Sequence, residues 1–376
     1  VSSLVSVVII AGDPSGDIHA APVIRELKKL YPHISVWGIG GPHMEKEGFC
    51  PILPFTPFNK MGFWEVITHI GFFLAAKKML LREIEKRRPD CVLCVDYPGF
   101  NMPVMKEVRK LSIPVVWYIA PMVWAWKHKR AITMGQQASE IACIFPFEVK
   151  YFDKYTKRVH FVGNPTVEDF CTNVVSVNTS MEERNRTIAI IPGSRRQEIV
   201  KMLPVMLDAF RQLKKEYPDL KAEVSCFNLV SKSLYEITSH YDSVTLTTKS
   251  LREMASSSFL AIVKSGTATL EVALTGTPMV IAYKTSPLTY ALAKKLVKIK
   301  FIGLPNIIAD QCIVPECIQD DMNPDLLASS LSRFITDKKY YDTTVENLIK
   351  LRELLGAKKP SAFVASLIEG QITKSM

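Results

Sequence analysis

No run of apolar residues in this chain is long enough to cross a bilayer, which takes about 20 residues as a helix. No signal-peptide pattern is visible either. A zinc framework is missing. Of the eight cysteines only Cys91 and Cys94 form a CxxC, with no second pair and no nearby histidine. That pair lies in an apolar run, "PDCVLCVDYP", that reads as a buried strand, where residues three apart face opposite sides. All eight cysteines are therefore expected to be reduced, in a cytoplasmic setting. No DxD pair stands at a strand end, so no metal ion and no other cofactor is expected. Basic residues are not interleaved with aromatics on a strand platform, which speaks against nucleic acid as the partner.

What is present is positive charge and α/β periodicity. The 376 residues carry a net charge of +10, which suits an anionic partner such as a phosphorylated substrate or an anionic membrane surface. A solvated basic surface would give the same number. Apolar runs alternate with helical patterns: "LVSVVIIA", "SVWGIGG", "DCVLCVDYP", "IPVVWYIAP", "EIACIFP" and "RVHFVGNP" read as strands, "MPVMKEVRKL" and "FEVKYFDKY" as helices. Continuous apolar strands separated by helices predict a parallel sheet covered on both faces. Residues 171–186 are polar and aperiodic and read as a linker. The pattern then restarts with "TIAIIPGSRRQEI", "KAEVSCFN", "VTLTT", "FLAIVKSGTATLEVAL" and "PMVIAY". The expected architecture is α/β: two Rossmann-like, doubly wound domains facing a cleft. They span 1–170 and 187–355, and a terminal helix within 356–376 packs back on the first.

In the second domain, "IIPGSRRQEI" offers the amides of Gly193 and Ser194 and the guanidinium of Arg195 to phosphate. A plain strand-to-helix turn is an equal reading of that stretch alone. "VKSGTATLE" places Ser265, Gly266 and Thr267 at a helix start with Glu271 one turn on, where a carboxylate meets ribose hydroxyls. Together these favour a nucleotide sugar.

In the first domain, Asp96 ends a strand, and the apolar run before it implies burial and a raised pKa, as suits a general base. "AGDPSGD" has the shape of a phosphate cradle but carries Asp13 and Asp17. With phosphates assigned to the second domain, Asp13 and Ser15 are candidates for an acceptor sugar. Asp17 is divided between that role and capping the helix that follows. Residues 61–88 are greasy and then basic. Met61, Phe63, Trp64, Ile67, Phe72 and Phe73 fall on all faces, which favours a membrane-interface or acyl-binding segment over a core helix.

The motifs "AGDPSGD", "GIGGPHMEKEGF", "MGFWEV", "PDCVLCVDYPGFN", "YIAPMVWAW" with Arg130, "FPFE", "FVGNP", "PGSRRQE", "SGTATLEVAL", "PMVIAYKTSPLTY" and "GLPNIIA" occur in the order found in lipid-A-disaccharide synthases. The resemblance runs from about Val5 to Phe363. It implies a GT-B fold and a peripheral inner-membrane glycosyltransferase. Such an enzyme transfers diacylglucosamine from its UDP derivative to diacylglucosamine 1-phosphate, forming a β-1,6 link with inversion. Asp96 then matches the family's proposed base, and the "GSR" and "SGT" loops with Glu271 match the UDP side. Asn306 matches the "LPN" asparagine, and Lys284 stands where arginine is common. Asp13 replaces the usual glutamate, and Gly99 stands where a second aspartate often does. The candidate partners are the two glycolipid substrates, the anionic inner-membrane surface and a second copy of the chain. The rival readings are another UDP-N-acetylglucosamine-type transferase, a 2-epimerase, and a non-catalytic basic lipid-binding module.

Overall fold

The computed structural model describes residues 4–53, 55, 70–172, 184–227, 230–287, 290–291, 294, 299–356 and 358–375. The chain divides into two compact units, residues 1–168 with 355–376, and residues 169–354.

The first unit runs β1 (Ser6–Ala11), α1 (Pro14–Leu30), β2 (Ser35–Ile39), α2 (Pro42–Lys46), β3 (Cys50–Pro51), α3 (Ile70–Arg87), β4 (Cys91–Val95), α4 (Pro98–Lys110), β5 (Val115–Tyr118), α5 (Lys129–Gln137), β6 (Glu140–Cys143), α6 (Val149–Phe152) and β7 (Val159–Phe161). Its seven strands lie in the order β3-β2-β1-β4-β5-β6-β7, every pair parallel. Alternation along each strand feeds two cores. Val8, Ile10, Val92, Cys94, Val115 and Trp117 meet α3, α4 and α5 on one face. Val7, Ile9, Cys91, Leu93, Val95 and Val116 meet α1 on the other. Cys91 and Cys94 thus point to opposite faces, both buried and reduced. Burial pushes the Cys91 thiol up to about 12.

Helix α7 (Pro165–Thr172) precedes the second unit, which runs β8 (Asn185–Ile191), α8 (Arg196–Glu216), β9 (Lys221–Ser225), β10 (Val244–Thr247), α9 (Leu251–Ser257), β11 (Ser258–Lys264), α10 (Thr267–Leu274), β12 (Met279–Tyr283), α11 (Leu304–Ala309), β13 (Glu316–Ile318), α12 (Pro324–Thr336) and α13 (Lys338–Gly356). Its sheet is also parallel, in the order β10-β9-β8-β11-β12-β13. The Arg184 guanidinium, 4% exposed, donates to the carbonyls of Ser258 and Thr275, each at 2.9 Å, and so staples the starts of β8 and β11 to the end of α10. The terminal helix α14 (Pro360–Ser375) belongs to the first unit. Its Val364, Ala365, Ile368 and Ile372 complete the core on the α1 side of the sheet.

Each sheet reverses its winding once, between β1 and β4 in the first unit and between β8 and β11 in the second. In open α/β sheets, ligands bind beyond the carboxyl ends of the strands at that switch point.

Candidate active site

Asp13 follows β1 and Asp96 follows β4, so these two acids flank the switch point of the first unit; Ala11 pairs with Val95 in register just before them. Asp96 and Tyr97 both adopt left-handed backbone, with φ of 43° and 48°. Two successive non-glycine residues in that region store strain, a feature that concentrates at functional sites. The turn is held from below by Asn101. Its Nδ2 donates to the carbonyls of Asp96 (2.8 Å), Val95 (3.2 Å) and Ile10 (3.3 Å), tying the ends of β1 and β4 together. The Tyr97 ring packs on Gly12, where a Cβ would come within 2.5 Å of it.

Burial, reinforced by the Asp13 carboxylate, pushes the Asp96 carboxyl up to about 7, while the Tyr97 amide and the Arg130 guanidinium pull it back. Burial also raises Asp13, against the pull of the Gly16 amide, which donates to Asp13 at 2.6 Å. Two carboxyls with raised pKa beside one cation form a group able to take a proton near neutrality. Asp13 and Asp96 are half-buried, and Glu148 is an acid buried outright. Its carboxylate accepts from the amides of Ile144 (3.2 Å) and Phe145 (3.1 Å) and from Trp124 Nε1 (3.3 Å), and burial pushes it to about 8.

The structure reassigns several residues of the first unit. The cap of α1 is Asp13, not Asp17. Asp17 is 1% exposed and accepts from the amides of Gly41, His43 and Met44, each at 3.0 Å, so it caps α2 instead. With both oxygens bonded to main chain and none in solvent, it is not placed to hold a sugar. Ser15 is exposed in the first turn of α1. Met61, Phe63, Trp64 and Ile67 lie outside the described residues. Phe72 and Phe73 are half-buried against the core, in a helix that buries Ala76, Leu80 and Ile84 at a spacing of four. Over its described length, α3 thus packs one face into the core and carries exposed apolar residues elsewhere, while most of the residues behind the all-round expectation lie outside the described ones. Leu74 and Met79 stay exposed.

The second unit holds a cavity of about 520 Å³ at its own switch point. Gly193, Ser194, Gly266, Thr267 and Glu271 line it, with Ser225, Phe227, Thr248, Lys249, Glu198 and Lys264. Gly193 has a φ of 113°, and a Cβ there would strike Glu198. The amides of Ser194 (3.2 Å) and Arg195 (3.3 Å) donate to Glu198 Oε2, so one expected phosphate donor, the Ser194 amide, is engaged by a side chain of the helix that follows. Glu271 lies 3.9 Å from Arg252, and burial raises its pKa against that cation.

Four of the expected residues do not line the cavity. The Arg195 side chain is largely exposed, and Lys284 is exposed beyond β12. Ser265 donates its hydroxyl to the Ile302 carbonyl at 2.9 Å. Asn306 is fully buried, accepting from the amides of Ile313 (2.8 Å) and Val314 (3.0 Å) and donating to the Val314 carbonyl and Glu316, both at 2.8 Å. Every polar atom of Asn306 serves the loop between α11 and β13, so it is not positioned as a direct ligand. Asn101, Glu148, Glu198 and Lys264 received no role from sequence reasoning. Asn101 and Lys264 act through partners that sequence spacing does not reveal, Lys264 and Glu198 being 66 positions apart, whereas Glu148 and Glu198 accept from amides three and four residues upstream, a spacing the sequence does show.

The model of the lipid-A-disaccharide synthetase family matches residues 7–365. The lipid-A-disaccharide synthase of Geobacter sulfurreducens is 35% identical over 377 residues, 98% of each chain. Among solved structures, the glycotransferase of kitacinnamycin superposes with a TM-score of 0.63 at 15% identity, covering 98% of this chain and 99% of its own. The UDP-GlcNAc 2-epimerase of Neisseria meningitidis, solved bound to UDP-GlcNAc, gives 0.60 at 15%, covering 98% and 99%. The structural likenesses carry the fold, two Rossmann-like domains of GT-B type, and the sequence match carries the family: this chain belongs to the lipid-A-disaccharide synthetases, a family of glycosyltransferases.

Proposed function

We propose that the protein condenses UDP-2,3-diacylglucosamine with 2,3-diacylglucosamine 1-phosphate, giving the β-1,6-linked disaccharide 1-phosphate and UDP. The family supports these substrates, and the observation that carries the chemistry is Asp96, a half-buried carboxyl at a switch point whose pKa is pushed up to about 7. A base of that strength takes the proton of the acceptor hydroxyl as the oxygen attacks the anomeric carbon of the donor. Attack opposite to the departing UDP inverts that carbon. Asp13 and Ser15 border the acceptor, while the cavity in the second unit takes UDP, with Glu271 toward the ribose. Charge developing on the leaving diphosphate is met by the turn at Gly266 and Thr267, where main-chain donors open α10. Asp17 and Asn306 shape the loops around these sites without touching substrate. The basic surface keeps the enzyme at an anionic inner membrane, where both lipid substrates reside.

The test is release of UDP from UDP-2,3-diacylglucosamine, with and without the acceptor, by the wild type and Asp96→Asn. Acceptor-dependent release by the wild type, reduced about 10²–10⁴-fold in the variant with UDP binding retained, is the expected result. Undiminished release by the variant would move the base elsewhere. Absence of release by a wild type that binds UDP would exclude these substrates.

A further inference from the structure

Two lysines line the cavity of the second unit, Lys249 and Lys264. Lys249 is engaged by Glu223 at 3.0 Å. Lys264 ends β11, opposite Ala282 of β12, and its side chain is 19% exposed. Its ammonium lies 3.0 Å from Glu198 Oε1 and 3.4 Å from where a Cβ on Gly266 would stand. It therefore sits directly over the turn that opens α10. The other oxygen of Glu198 accepts from the amides of Ser194 and Arg195. One carboxylate thus ties the loop after β8 to the residue that ends β11, and it keeps the lysine from extending into solvent.

We propose that Lys264 is the cation that receives the diphosphate of the nucleotide sugar, with Glu198 as its positioning residue. This rests on the reading of the cavity as the UDP site. A lysine ammonium has three donors. Glu198 occupies one side of it, the Tyr283 ring lies 5.9 Å away, and the ammonium stands beside Gly266 on the cavity lining. Arg195, a basic residue that the sequence offered for this role, reaches the same Glu198 oxygen at 3.6 Å but is 81% exposed, against 19% for Lys264. A covered cation facing a diphosphate contributes more than an exposed one, because less of its field is lost to water.

The experiment is titration calorimetry of the full chain with uridine and UDP, for the wild type, Lys264→Met, Lys264→Gln and Lys264→Arg. The wild type is expected to bind UDP more tightly than uridine. Met and Gln should leave uridine affinity within about twofold and weaken UDP about ten- to hundredfold, as loss of one hydrogen bond to a charged group does. Arg should keep most of the preference. Both ligands are titrated into one preparation, so a partly unfolded variant lowers the number of sites without moving the ratio of the two constants. An unchanged ratio in Met and Gln would overturn the role of Lys264 while leaving the UDP site standing. Loss of uridine binding in both would assign Lys264 to the fold instead. A wild type that binds neither ligand would overturn the UDP reading itself, and this inference with it.

Discussion

An aspartate at the end of an apolar strand loses water on most sides, and a carboxyl that loses water holds its proton longer. For Asp96 the neighbouring Asp13 adds to that effect, so charge changes close to neutrality. Two consequences with opposite signs follow. kcat/KM should fall about tenfold per pH unit below about 7, since the base must be ionised, and Asp96→Asn should flatten that limb. Stability should run the other way. The folded chain binds this proton more tightly than the unfolded one, so the contribution is complete below the ordinary aspartate pKa of 3.8 and is lost as pH rises through about 7. Thermal unfolding of the wild type and Asp96→Asn from pH 4 to 8 should show the variant gaining relative Tm as pH rises. A difference independent of pH would mean Asp96 ionises as an ordinary surface acid. Asp96 was legible in the sequence because position at a strand end and an apolar approach are both local signals. Asp17 and Asn306 were misread because the sequence does not say whether a polar side chain turns toward a ligand or toward neighbouring main chain.

Elements were easier to read than side chains. The major strands are apolar runs, and burial on both faces of a parallel sheet produces such runs directly. The exceptions are short. β3 and β13 have two and three residues, too few to show a period. "FEVKYFDKY", expected as a helix, is a 3-10 turn at Pro146–Glu148 followed by a single α-turn at Val149–Phe152. There Glu148 folds back on the amides of Ile144 and Phe145, and so fixes a turn start. The same kind of device governs α2, whose opening amides all donate to Asp17. Asp17→Asn keeps the shape but turns an amide NH₂ toward at least one of those N–H groups. The expected cost is about 1–3 kcal/mol. That lowers the Tm of the first unit by roughly 2–12 °C, at about 2–4 °C per kcal/mol for a unit of this size. Faster amide exchange at Gly41, His43 and Met44 would locate the effect. Unchanged exchange at those three positions would show that the cap does not hold α2.

At the scale of the molecule, the net charge of +10 acts over distances set by salt. Among the described residues no helix is long and apolar enough to cross a membrane. Attachment, on the function proposed above, is then interfacial and electrostatic, helped by exposed apolar residues such as Leu74 and Met79 on the lysine-bearing α3. The full chain should cosediment with vesicles containing phosphatidylglycerol and much less with purely zwitterionic ones. Binding should weaken as ionic strength rises from about 0.1 to 1 M, where the Debye length shrinks from about 10 to 3 Å. Equal binding to both kinds of vesicle would leave the charge without this role.

The first unit is made of two stretches of chain, 1–168 and 355–376, with the whole second unit between them. On the ribosome this fixes an order. Strands β1 to β7 emerge before the second unit, but the helix that completes the core on one face of their sheet, α14, is made only after it. At elongation rates of about 5–20 residues per second, translation of 169–354 separates the two events by roughly 10–40 s. During that interval Leu93 and Val116 wait for the residues that cover them, and at its end the second unit has all of its own sequence before α14 is made. The nascent chain is thus exposed to chaperones longer at the lobe begun first, and the lobe translated second is the first of the two able to finish folding.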